Sequence, residues 1–135
     1  MNVSIIPFGP QPLPKRAHYN DAGADCYIAN DIILPANSTT AVPLGFGLEL
    51  PDGFVGFICP RSGLSRKGVS CELAPIDSGY RGEIHAILTN NTAEDFQLKA
   101  GDRVGQILVL PCLIPNFTTE EFEERGDGAF GSTGR

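Results

Sequence analysis

The chain has no Cys-x-x-Cys pair, no internal repeat, no surplus of positive charge and no run of the ~18 apolar residues that a membrane helix needs. Each absence closes a class. The four cysteines (Cys26, Cys59, Cys71 and Cys112) lie 33, 12 and 41 residues apart, and two histidines complete no zinc pattern. Free, buried or half-buried thiols in a reducing compartment are the expectation. The start, Met-Asn-Val-Ser-Ile-Ile-Pro-Phe, lacks the basic stretch of a signal peptide, and its short apolar run is broken by Pro7. A cytoplasmic protein, or a nuclear one if the source is eukaryotic or viral, is therefore expected, neither secreted nor bound to a membrane. The sequons at Asn2, Asn37, Asn90 and Asn116 then read as asparagines in turns. Ten Lys and Arg against sixteen Asp and Glu leave a net charge of −6, the wrong sign for gripping a nucleic-acid backbone. A small anion at one local basic site remains compatible with that balance.

What is abundant is glycine and proline, together 27 of 135 residues. So many breakers exclude a helical bundle and suit short strands joined by tight turns, in a chain long enough for one domain. Val42, Leu44, Phe46, Leu48 and Leu50 alternate with smaller or polar residues, the period of a half-buried strand, which the turn Pro51-Asp52-Gly53 ends. A second strand, Phe54 to Cys59, follows at hairpin distance. Ile84, Ala86 and Leu88 alternate again, and Val104 to Leu110 is apolar on both faces, as in a strand covered on both sides or lying in a subunit interface. Shorter strands are expected near 3–6, 24–28, 32–34 and 96–98. One short helix fits 62–67, closed by Gly68. Strands at such intervals make an all-β barrel or sandwich. Beyond Pro115 the pattern fades into a flexible C-terminal arm.

Five segments carry more Gly, Asp, Arg and Ser than turns require. Asp21-Ala-Gly-Ala-Asp25 sets two carboxylates around a glycine, which as a plain turn would hold an Asx hydrogen bond. Pro60-Arg61-Ser62-Gly63-Leu64-Ser65 opens the helix; free N–H groups beside a guanidinium suit a phosphate, while the plain alternative is a Ser N-cap with a surface Arg. Ile76-Asp77-Ser78-Gly79-Tyr80-Arg81-Gly82 contains a good turn, or else offers Asp77 as a general base and Tyr80 as a flat wall. In Gly101-Asp102-Arg103-Val104-Gly105-Gln106, the polar Gln106 inside an apolar strand must find partners, so a ligand or an interface is expected there. The tail Arg125-Gly-Asp-Gly-Ala-Phe130-Gly131-Ser132-Thr133-Gly134 lacks the lysine of a P-loop; it reads either as disordered or as a flap whose Phe130 stacks on a base.

In this order the five segments resemble the five motifs of the homotrimeric dUTPase family, deoxyuridine triphosphate nucleotidohydrolases, from Asp21 to Gly134. The resemblance implies a jelly-roll-like β-barrel over residues 1–122 and an arm over 123–135 closing on an active site. It implies a homotrimer whose sites lie at subunit boundaries, and hydrolysis of dUTP to dUMP and pyrophosphate with Mg²⁺. Asp77 matches the carboxylate that activates water, and Asp25 the acid that holds the metal through its water shell. Arg61, Ser62, Gly63, Gln106, Arg125, Ser132 and Thr133 match the phosphate contacts. Cys71, Pro75, Ile76, Asp77, Tyr80, His85 and Phe130 match the uracil and deoxyribose site, where the base is read by backbone groups of the hairpin from Cys71 to His85. Cys71, Ala74-Pro75, Gly105 and His85 depart from frequent family residues. The related dCTP deaminases are disfavoured because Ile84 to Thr89 carries no carboxylate, and a binding or signalling relative without turnover would have lost Asp77 or the tail first.

Overall fold

The computed structural model describes residues 1–120. The expected arm, with Arg125, Phe130, Ser132 and Thr133, lies outside the described residues. Among the described residues there are eleven strands and one short helix: β1 (Ser4–Pro7), β2 (Ala24–Tyr27), β3 (Ile32–Leu34), β4 (Ser38–Pro43), β5 (Phe46–Glu49), β6 (Phe54–Cys59), α1 (Ser62–Arg66), β7 (Val69–Cys71), β8 (Pro75–Ile76), β9 (His85–Asn90), β10 (Phe96–Leu98) and β11 (Arg103–Pro111). The strands pair antiparallel in the orders β2-β11-β6-β8, β4-β9-β7, β1-β5 and β3-β10. This is the expected all-β architecture. Among the described residues no helix is long and apolar enough to cross a membrane.

The alternating residues do face one core. Val42, Leu44, Phe46, Leu48 and Leu50 are buried, and Ile84, Ala86 and Leu88 meet them with Val69, Leu98 and Val104. Two expectations about the first alternating run need correcting. The run is two strands, because Gly45 takes φ +79, a left-handed conformation that a side chain resists and a ladder cannot continue through. β4 then pairs with β9, and β5 with β1. Nor does β6 form a hairpin with β5: it pairs with β11 and β8, so the Pro51-Asp52-Gly53 turn passes the chain from one sheet to another. β7 and β8 were too short to carry a readable period.

Asn37 is in the left-handed region at φ 53, a turn asparagine as expected, whereas Asn90 is fully buried at the end of β9. Its Nδ2 donates to the Leu34 carbonyl (2.9 Å) and the Glu94 carbonyl (2.8 Å), and its Oδ1 accepts from Thr92 N (3.0 Å) and Thr92 Oγ1 (2.8 Å). This side chain ties β3 to the turn after β9 with every polar atom satisfied. Asn90→Ala strands those partners at about 1–3 kcal/mol for each buried group left unmade, so a loss of about 3 kcal/mol is expected. Urea unfolding at unchanged m-value measures it, and a loss under about 1 kcal/mol would contradict the latch.

Candidate functional site

Strand β11 has a hydrogen-bonded neighbour on each edge, and this builds the first cluster. Gln106 pairs with Asp25 of β2 on one side and with Cys59 of β6 on the other, so the three residues form one cross-strand row. Two residues past Cys59 stands Arg61, whose Nη1 donates to Asp25 Oδ1 at 2.5 Å. Gln106 Nε2 donates to the Pro60 carbonyl at 3.1 Å, which settles the polar residue of that apolar strand. Gly23 is required for the close approach: a Cβ there would stand 2.3 Å from Gln106 Oε1. The strings containing Asp25, Arg61 and Gln106 therefore meet through register. Asp21 does not join them; its Oδ2 accepts the His18 N–H at 2.8 Å in the preceding loop.

Ser62 is not the cap of α1. Arg61 occupies that position with extended backbone (φ −103, ψ 134) and no side-chain cap, because a guanidinium has no acceptor to offer the helix N–H groups; it donates to Asp25 instead. Ser62 and Gly63 follow, exposed, in the first turn, where helical N–H groups have no intrahelical partner.

Sequence reasoning passed over Arg103. Its Nη1 donates to the second oxygen of Asp25, Oδ2, at 3.5 Å. In a regular strand, residues three apart point to opposite faces. The register shift between Arg103 and Gly105 changes that: Arg103 pairs with Tyr27 and Gln106 with Asp25, two β2 residues on one face. An arginine three residues before a polar strand residue, within a Gly-rich motif, was the available signal, and the bulge that gives it meaning was not legible.

The second cluster is a cleft of about 280 Å³ whose walls include Pro75, Ile76, Asp77, Tyr80 and His85. Asp77 and Tyr80 close a turn, with Tyr80 N donating to the Asp77 carbonyl at 3.1 Å. That turn joins no hairpin, since β8 pairs with β6 while β9 pairs with β4 and β7. Tyr80 OH donates to the Glu83 carbonyl at 2.7 Å, and His85 Nδ1 lies 3.2 Å from the same oxygen. A carbonyl only accepts, so Nδ1 carries a proton in that bond. Asp77 is exposed and takes part in none of the three ion pairs among the described residues. Cys71 is not among the cleft's lining residues; its Sγ lies 3.7 Å from the carbonyl of Ile58, which is, and burial raises its thiol pKa. The cleft's walls include none of Asp25, Arg61 and Gln106, although β6 carries the partners of both Gln106 and Ile76.

In an all-β protein, an open cleft with an exposed carboxylate and a strand row flanked by two arginines suit a small ligand with an anionic part. The dUTPase family model matches residues 10–134. A deoxyuridine 5'-triphosphate nucleotidohydrolase of Cutibacterium acnes is 43% identical over 132 residues, covering 93% of this chain and 87% of that protein. One from Paramecium bursaria Chlorella virus 1 is 41% identical, covering 90% and 89%. The fold matches a Staphylococcus bacteriophage 80alpha dUTPase mutant with dUpNHpp (TM-score 0.85, 23% identity, 99% of both chains). It also matches a mutant dUTPase from phage phi11 of S. aureus, described with a structural Mg(II) ion (TM-score 0.83, 23% identity, 90% of this chain and 98% of that one). This chain belongs to the dUTPase family, and its fold is the jelly-roll-like one expected.

Cys26, fully buried beside Asp25, has its thiol pushed up to about 12, chiefly by burial. It stays a protonated thiol through neutral and mildly alkaline pH, and the thiolate is the reactive form. At pH 8 in native buffer, Cys26 is expected to resist an alkylating reagent that modifies the half-buried Cys112, and to react once the chain is unfolded. Mass-spectrometric mapping reads this, and equal native labelling of the two would contradict the burial.

Proposed function

We propose that the protein hydrolyses dUTP to dUMP and pyrophosphate, with Asp77 activating the attacking water. The observation that carries the assignment of roles is the exposed, unpaired carboxylate of Asp77 in a cleft walled by Tyr80 and His85. Asp77 takes a proton from the water as its oxygen bonds to the α-phosphorus. The bond to the bridging oxygen breaks, and its electron pair leaves with pyrophosphate. A carboxylate suffices because phosphoryl transfer depends on positioning and charge neutralisation. Tyr80, held by its bond to the Glu83 carbonyl, packs on the deoxyribose and excludes a ribose hydroxyl. Pro75 and Ile76 with the backbone from Cys71 to His85 hold the uracil. Arg61, Ser62, Gly63 and Gln106 receive the phosphates. From the arm, proposed over 123–135, Arg125, Ser132 and Thr133 join the phosphates and Phe130 covers the base.

Asp25 fits Mg²⁺ through water. Among the described residues no group of three or more metal-binding side chains exists, and Asp25 alone offers one hard carboxylate beside the phosphate-binding row. That donor set suits a metal that keeps most of its waters and takes its other ligands from phosphates. When bound, the metal would share the charge of the triphosphate with Arg61.

A cleft whose walls include none of Asp25, Arg61 and Gln106 supports active sites completed between subunits of a homotrimer. So does the strongly exposed apolar run Leu113, Ile114 and Phe117, which a neighbouring subunit would cover. The four free cysteines support a reducing compartment, cytoplasmic or nuclear.

Pyrophosphate release from dUTP is expected to exceed that from dTTP, dCTP and UTP. Asp77→Asn should lower kcat by about 10²–10⁴, the range of a positioned general base, with an unchanged thermal midpoint. Undiminished turnover in that variant would remove Asp77 from the chemistry, and no turnover by the folded wild type would favour a binding module. Deleting residues 125–135 should abolish most activity while the barrel stays folded, as circular dichroism would report.

A further inference from the structure

Both oxygens of Asp25 already have a guanidinium. Arg61 binds Oδ1 at 2.5 Å and Arg103 reaches Oδ2 at 3.5 Å. The two are not equivalent. The Arg61 side chain is 27% exposed and anchored beside the row, whereas that of Arg103 is 51% exposed with the longer contact. Arg103 borders a cavity of about 280 Å³ that it shares with Lys15, Arg16, Asp25 and Tyr27. Neither Lys15 nor Arg16 belongs to any of the three ion pairs among the described residues. Arg16 is steadied by its Nε bond to the Asp21 carbonyl (2.8 Å), and Lys15 by backbone bonds to Asp25 (3.0 and 2.8 Å). One carboxylate therefore sits among four cations in a chain whose net charge is −6.

We propose that Arg103 is a positioning residue that occupies the metal-facing oxygen of Asp25 until nucleotide arrives, so that a divalent cation enters with the triphosphate and not before it. The inference rests on the reading of Asp25 as the carboxylate beneath the metal's water shell. Like charges repel a dication from this cluster, and the hydrogen bond from Arg103 competes for the lone pairs that a metal-bound water would use. A polyanion reverses both terms. Its phosphates neutralise the guanidiniums, and the cavity beside Lys15 and Arg16 gives the Arg103 head group somewhere to turn. Asp25 is then free on Oδ2 while Arg61 keeps Oδ1. The bulge in β11 is the backbone feature that makes this possible, since without it Arg103 would project from the opposite face.

The test is metal binding to the full chain without nucleotide, using Mn²⁺ as a paramagnetic stand-in for Mg²⁺ and reading free Mn²⁺ by electron paramagnetic resonance. Arg103→Gln is expected to bind Mn²⁺ at least about tenfold more tightly than wild type, because one charge within a few ångströms has gone. Arg103→Lys keeps the charge and should stay within about twofold of wild type. With dUpNHpp present, the difference between Arg103→Gln and wild type should shrink to less than about threefold. Equal nucleotide-free affinity in wild type and Arg103→Gln overturns the proposal. So does an Arg103→Lys variant that behaves like Arg103→Gln, since packing rather than charge would then be at work. Thermal melts of both variants identify any loss of fold. Wild-type turnover of dUTP, measured alongside, fails only if the reaction itself is wrongly assigned, so the two ideas fall separately.

Discussion

The placing of Asp25, Gln106 and Cys59 in one row rests on β11 being hydrogen-bonded along both edges. A strand with two partners fixes two registers and so aligns three strands, and a slip of one residue would turn every side chain to the opposite face. Here a slip would put Gln106 in the core and Ile107 in solvent. The buried positions Val104 and Ile107 hold the register by burial, and the row follows without any bond between the polar groups being needed to set it. The polar contacts then add orientation: Arg61 on Asp25, and Gln106 on the Pro60 carbonyl.

The cleft obeys a different logic. Its walls come from segments that leave one sheet and join another, so their geometry depends on local bonds as well as ladders. The Glu83 carbonyl carries much of that burden, accepting from Tyr80 and orienting His85. The Glu83 side chain also accepts the Gly45 N–H at 2.9 Å, at the point where β4 gives way to β5. The break in the longest alternating run and the wall of the cleft are thus joined through one residue. A rigid core and a locally tied rim suit a site whose ligand must enter and leave.

Electrostatics divides the molecule in the same way. Five of the sixteen acidic residues fall within positions 120–127 of the sequence, while Lys15, Arg16, Arg61 and Arg103 gather around a single carboxylate. In an acidic protein such a focus attracts small polyanions locally and leaves the long-range field repulsive to larger ones.

The sequence alone determined the fold class, the core and the identity of the chemistry-bearing strings. Period-two burial is a local property, legible in Leu44, Phe46 and Leu48 or in Ala86 and Leu88, and a motif string needs no coordinates to be read. Three features depended on contacts far apart in the chain. The left-handed Gly45 splits one alternating run into β4 and β5, which pair with β9 and β1, and β6 joins β11 instead of the strand beside it in sequence. The bulge before Gly105 brings Arg103 round to Asp25 against the parity that its spacing dictates. Alternation reports which residues turn inward, but only tertiary pairing decides which of the outward ones stand side by side, because register is a relation between strands and no single strand contains it.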